Sequence, residues 1–179
     1  MQFLALSGSL RAASTNSALL QGLAAAARPP IHVSLYEGLA ALPAFSPDRE
    51  GDLTPEPVLG FAACVAAADG LVISCPEYVH ALPGAFKNAL DWLVSRPELI
   101  GKPLALVHAS RRGDDVLVDL RRVLHTVTDR FADHIFLRFD LHKLSPEEIA
   151  DRLAHPDQVA QLCGFLDDFA DFVHNGPNP

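Results

Sequence analysis

The chain has 179 residues, of which 49% are hydrophobic and 20% charged. This is a globular composition, long enough for one substantial core and unlike a disordered chain. A formal net charge of −8 and a pI near 5.3 argue against nucleic-acid binding, and there is no lysine-rich tract; single loops can still be positive.

The elements read as follows in chain order. Gln2–Ser7 is a strand and Thr15–Ala27 a helix, with Ser14 or Thr15 as N-cap. Pro29-Pro30 stops that helix and Ile31–Leu35 makes a second strand. Tyr36 to Pro57 holds Pro43, Pro47, Pro55, Pro57 and Gly51 and reads as irregular. A connection of that length is either functional or a cover for a sheet edge. Val58–Ala68 is an alanine-rich helix closed by Asp69-Gly70, and Leu71–Cys75 a buried strand ended by Pro76. Pro83–Ser95 is a helix with proline tolerated in its first turn, and Leu104–Ala109 a fourth strand. Asp115–Thr128 is a helix with Leu117, Leu120, Val123, Leu124 and Val127 on one face. His134–Phe139 is a fifth strand, and Pro146–His155 and Asp157–Val173 are closing helices. Residues 1–174 form a single domain, and residues 175–179 a flexible tail.

Strands alternating with helices predict an α/β fold: a five-stranded parallel sheet with helices on both faces. The order 2-1-3-4-5 places a ligand at the switch between strands one and three. The loops after those strands, Ser7–Ser14 and Pro76–Leu82, then become neighbours.

No apolar run approaches the roughly 18 residues of a membrane span, and Met1–Leu6 is short for a signal-peptide core and lacks a basic leader. The expectation is a cytoplasmic protein with no membrane partner. Cys64, Cys75 and Cys163 are widely spaced and odd in number. They read as buried, reduced thiols, and no pair has metal-ligand spacing. No metal site is expected.

The first loop offers Ser7, Ser9, Ser14, Thr15 and Asn16 as hydrogen-bonding groups, with Arg11 able to form a bidentate contact to phosphate. A strand, a loop of small and hydroxyl residues and then a helix form an anion cradle, or only a β–α turn. Neither GxGxxG nor GxxxxGK[ST] is present, which argues against a dinucleotide fingerprint and a triphosphate loop; a phosphate monoester suits hydroxyls better. In the second loop Pro76 and Pro83 are stiffening residues, Tyr78 can pack beside a flat ring, and His80 either faces solvent or donates to a ligand oxygen. The third loop, His108 to Asp115, holds Ser110 and a single glycine. There Arg111 and Arg112 either approach a ligand or pair with Asp114 and Asp115. No G-x-S-x-G surrounds Ser7 or Ser9, so a hydrolase nucleophile is not expected.

Gly8-Ser9-Leu10-Arg11-Ala12-Ala13-Ser14-Thr15-Asn16 resembles the GSxRxxSxN phosphate loop of the NADPH-dependent FMN reductase family. Pro76-Glu77-Tyr78, followed by Pro83-Gly84-Ala85-Phe86-Lys87-Asn88-Ala89-Leu90-Asp91-Trp92, is similar to that family's PEYxxxxPGxLKNAIDW signature. The resemblance implies a flavodoxin-like three-layer sandwich. It also implies noncovalent FMN, reduced by NADPH or NADH, with electrons passed to a quinone, azo compound, flavin or similar small-molecule acceptor. By the same resemblance Ser9, Arg11, Ser14, Thr15 and Asn16 hold the phosphate. Pro76, Glu77, Tyr78 and Val79 line the ring, and Ser110 joins them from the third loop. The site then consists of positioning residues with no catalytic side chain. The helix from Pro83 is an interface helix in a homodimer or homotetramer, with Lys87, Asp91 and Trp92 in interface or packing roles. Two features depart from the family pattern: Val79 stands where many members carry Asn, and Arg111-Arg112 stands in a usually glycine-rich loop. A flavin-binding electron carrier without turnover and a fold-mate that has lost flavin are the alternative readings.

Overall fold

The computed structural model describes residues 1–176. In β1 (Gln2–Ser7) Phe3 and Ala5 point to one side of the sheet and Leu4 and Leu6 to the other, the two-residue period of a pleated strand. β3 (Gly70–Ser74) and β4 (Leu104–His108) repeat the split, with Val72, Ala105 and Val107 on the Phe3 side and Leu71, Ile73, Leu104 and Leu106 opposite. Strands apolar on both faces belong in a parallel sheet covered on both sides. With β2 (His32–Tyr36) and β5 (Phe131–Arg138) at the edges, the order is β2-β1-β3-β4-β5 and every pairing is parallel.

The Phe3 face is covered by α1 (Thr15–Ala26), α5 (Pro146–Leu153) and α6 (Pro156–Asn175). The opposite face is covered by α2 (Glu56–Ala67), α3 (Gly84–Leu93) and α4 (Asp114–Val127). The sandwich therefore has three layers, as expected, and leaves the carboxyl ends of β1, β3 and β4 side by side.

Several boundaries differ from the sequence reading. α2 starts at Glu56, because Pro55 serves as its N-cap and the first turn tolerates Pro57. β5 starts three residues early, at Phe131, with a register irregularity between Leu104 and Leu106 of its partner strand. Asn175 is the last residue of α6; residues 177–179 of the expected tail lie outside the described residues. Among the described residues no helix is long and apolar enough to cross a membrane.

The connection from β2 to α2 contains three short 3-10 turns and buries Leu39 and Leu42 in the core. α3 holds it in place. Trp92 Nε1–H and Asn88 Nδ2–H donate to the Pro43 carbonyl at 2.8 and 2.9 Å, and Phe45 N–H donates to Asn88 Oδ1 at 2.8 Å. Trp92 is 1% exposed and its ring meets Phe45 edge-on, so its role is packing. Lys87 and Asp91 pair with each other at 2.5 Å at the surface. The thiols are less uniform than expected. Cys75 is buried and Cys163 half-buried, but Cys64 is exposed, on a position of α2 turned away from the core.

Candidate functional site

A cavity of about 280 Å³ opens at the carboxyl ends of β1, β3 and β4. Ser9, Arg11, Ser14, Thr15, Asn16, Pro76, Glu77, Tyr78 and Ser110 all line it, and so do His108, Ala109, Arg112, Gly113 and His142. Larger grooves lie elsewhere, but the chemistry of the three loops converges only here.

The first wall is built by local hydrogen bonding. Ser14 is the N-cap of α1, its Oγ accepting from Ser17 N–H at 3.2 Å. Ser7 Oγ accepts from Ser9 N–H at 3.3 Å and from Ser17 Oγ at 2.9 Å, and Ser9 Oγ accepts from Arg11 N–H at 3.3 Å. Among the described residues the N–H groups of Thr15 and Asn16 donate to nothing. Free N–H groups and the positive end of the helix dipole favour an anion, and no acidic residue occupies the first turn. Ser74 Oγ donates to the buried Asn16 Oδ1 at 2.8 Å. That fixes the amide and leaves its two Nδ2 donors without a partner among the described residues.

Gly8 joins this wall to the next. Its N–H donates to Ser74 O at 2.8 Å, and a Cβ there would sit 2.4 Å from Cys75 Sγ. The β1 and β3 loops touch only because this residue has no side chain. Burial pushes the Cys75 thiol up to about 12, so it is a packing group and not a thiolate.

The second wall is strained and exposed. Tyr78 and Ala81 exchange both backbone hydrogen bonds at 3.1 Å around Val79 and His80, which have φ of +53° and +58°. Two successive left-handed residues make the turn type that favours Asn-Gly, and a β-branched valine is unfavourable in it. Val79 is 94% exposed and is not among the cavity residues. The turn holds it outward, whereas its neighbours Glu77 and Tyr78 stay at the cavity. Glu77 Oε2 accepts from Val116 N–H at 3.2 Å at the start of α4. His80 Nδ1 lies 2.6 Å from Asp115 Oδ2, and that contact, ahead of the charges of Asp115 and Glu77, raises the His80 pKa. Ligand-type atoms of Glu77, His80 and Asp115 lie within 4.8 Å of one another, but each already has a partner within the chain.

The third wall is a network of ion pairs whose partners differ from those adjacent in sequence. Arg111 Nε meets Asp140 at 3.2 Å, and Asp114 takes Arg138 Nη1 at 2.8 Å. Arg112 has no ion-pair partner among the described residues. The 3% exposed His108 points Nε2 at the Arg112 carbonyl, 2.7 Å away. A carbonyl only accepts, so Nε2 carries the proton. Desolvation lowers the His108 pKa, and the ring is neutral.

His108, Gly113 and His142 were not among the residues expected to bind. His142 is carried in by the chain beyond β5, where Phe139 N–H and Leu141 N–H donate to the carbonyls of His108 and Ala109. No local signal in the sequence marks it.

The NADPH-dependent FMN reductase family matches residues 1–132. The chain belongs to that family. Among FMN reductase relatives, the NAD(P)H-dependent FMN reductase of Pseudomonas aeruginosa is 36% identical over 112 residues, 62% of this chain and 60% of that protein. The quinone reductase of Escherichia coli K12 is 35% identical over 116 residues, 63% of this chain and 61% of its own. The matched region thus spans less than two thirds of these relatives. A flavoenzyme NAD(P)H:(acceptor) oxidoreductase from Paracoccus denitrificans shares the fold with a TM-score of 0.78 and 26% identity, over 97% of each chain. The doubly wound sheet is the flavodoxin-like arrangement that the family motifs implied.

Proposed function

We propose that the cavity binds FMN and that the chain passes hydride from NADPH or NADH through it to a quinone, azo compound, flavin or similar acceptor. The observation that carries this reading is the convergence of the family's phosphate loop and its PEY loop on one cavity at the switch point. FMN supplies the hydride and electron chemistry; the protein supplies binding, orientation and electrostatics.

The residues fit the group. Thr15 and Asn16 N–H, the Asn16 amide and Arg11 meet the phosphate. The Gly8–Ser74 contact sets the gap between the two loops, and Tyr78 flanks the ring. Glu77, tied to Val116 N–H, anchors the ring loop. No nucleophile or general base enters, in keeping with a site of positioning residues. The family assignment and the exposed apolar side chains Leu53, Val94 and Ile100 near α2 and α3 support a homodimer or homotetramer, and we place the protein in the cytoplasm.

The test is anaerobic reduction of the FMN-loaded protein. The flavin absorbance should bleach on addition of NADPH or NADH and return on addition of a quinone. Bound FMN that neither nucleotide reduces identifies a carrier and overturns the reductase reading.

A further inference from the structure

Arg112 is the cation that the third loop leaves over. The acidic groups around it are already matched: Asp114 by Arg138 at 2.8 Å, Asp115 by His80 at 2.6 Å and Asp140 by Arg111 at 3.2 Å. The Arg112 side chain is exposed, lines the cavity and pairs with nothing among the described residues. Its backbone, by contrast, is held on every side. Arg112 N–H donates to Ser110 Oγ at 3.0 Å, and its carbonyl accepts from His108 Nε2 at 2.7 Å and Arg138 Nη2 at 3.3 Å. Gly113 follows with φ +95°, and a Cβ there would sit 2.9 Å from His108 Nε2, so the missing side chain leaves room for the ring. A buried histidine and a second arginine thus fix the backbone from which one free guanidinium projects.

Arg11, the cavity's other unpaired guanidinium, leaves the loop after β1. β3 separates β1 from β4 in the sheet, so the two loops start about 10 Å apart, two strand spacings. A phosphate at the start of α1 engages Arg11 and leaves Arg112 uncompensated.

We propose that Arg112 reads a second anionic group, carried by the co-substrate that shares the cavity with the flavin. That group is the 2′-phosphate of a nicotinamide donor or the carboxylate of an electron acceptor, either of which a guanidinium binds through paired hydrogen bonds. This rests on the flavin reading above. Arg111 is excluded from the role by Asp140, and Arg138 by Asp114 and two loop carbonyls.

The experiment compares FMN-loaded wild type, Arg112→Gln and Arg111→Gln. Two ratios of kcat/KM are measured: NADPH over NADH, and a carboxylated benzoquinone over its neutral parent. Calorimetry of adenosine 2′,5′-bisphosphate against adenosine 5′-monophosphate gives a readout independent of turnover. One ratio should fall roughly tenfold in Arg112→Gln, as loss of one charge-assisted contact implies, and neither should fall in Arg111→Gln. A fall in the first ratio with loss of the bisphosphate preference assigns the 2′-phosphate; a fall in the second alone assigns the carboxylate. FMN binding with both ratios unchanged in Arg112→Gln, or shifted equally in Arg111→Gln, overturns the role of Arg112 and leaves the flavin reading standing. Failure of the wild type to bind FMN overturns both.

Discussion

At the β1–α1 end of the cavity the wall is made of hydroxyls and backbone hydrogen-bonded within one local segment, from Ser7 to Ser17. At the β3 and β4 end it is made of charges drawn from distant segments, around a turn with two left-handed non-glycine residues. The first end is pre-formed on the buried Ser7, Ser14 and Asn16, and has free donors for one anion. The second is exposed and held by ion pairs, which contribute little where water screens them. A cofactor held for many turnovers suits the first end, and an exchanging co-substrate the second.

The contrast can be broken most severely at Gly8. Gly8→Ala drives a methyl into Cys75, and the overpacking should cost about 3 kcal/mol in urea denaturation and weaken FMN binding at least about tenfold by fluorescence titration. Ser74→Ala removes the donor to the buried Asn16 Oδ1. The stranded acceptor should cost about 2 kcal/mol, with weaker FMN binding because the Asn16 amide is no longer fixed. At the other end the sign reverses. Val79→Asn suits the left-handed backbone and should stabilise the protein by about 1 kcal/mol, leaving the FMN phosphate contacts unaltered; a loss of stability would show that the turn is not strained.

The smallest effect is a pH dependence. The raised pKa of His80 means that the folded state holds its proton more tightly than the unfolded chain. This stabilisation is fully present below the ordinary histidine value of about 6.5 and fades as pH rises through the higher folded value. His108 acts in the opposite sense. Its lowered pKa makes stability fall as pH drops below the ordinary value and through the folded one. As pH falls through the histidine range, His80→Ala should therefore lose stability relative to wild type and His108→Gln should gain it. Identical curves would remove the electrostatic account of the ring end.

The same contrast explains what could be read in advance. The parallel sheet followed from the alternation of apolar runs and helical patterns, its order from the flavodoxin-like pattern that five such strands suit, and the phosphate loop was legible because its partners are near in sequence. The ring end was legible only in part. Asp115 lies 35 residues from His80, and Asp114 lies 24 from Arg138, so adjacency wrongly suggested pairing of Arg111 and Arg112 with Asp114 and Asp115. His142 arrives through an extension of β5 along the β4 loop that no local pattern announces. Val79 carries no sequence sign of its positive φ, since valine is the wrong residue for such a turn. The prolines at 55 and 57 read as loop because their tolerance in a first helical turn is positional.

Whether the start of α1 is a working phosphate cradle is tested most directly by comparing FMN with riboflavin. The two ligands share the ring and ribityl chain and differ only in the phosphate. Fluorescence titration of the apoprotein should show FMN binding at least about thirtyfold more tightly, as two charge-assisted contacts imply, with Arg11→Gln removing much of that advantage. Equal affinity for FMN and riboflavin would contradict the account.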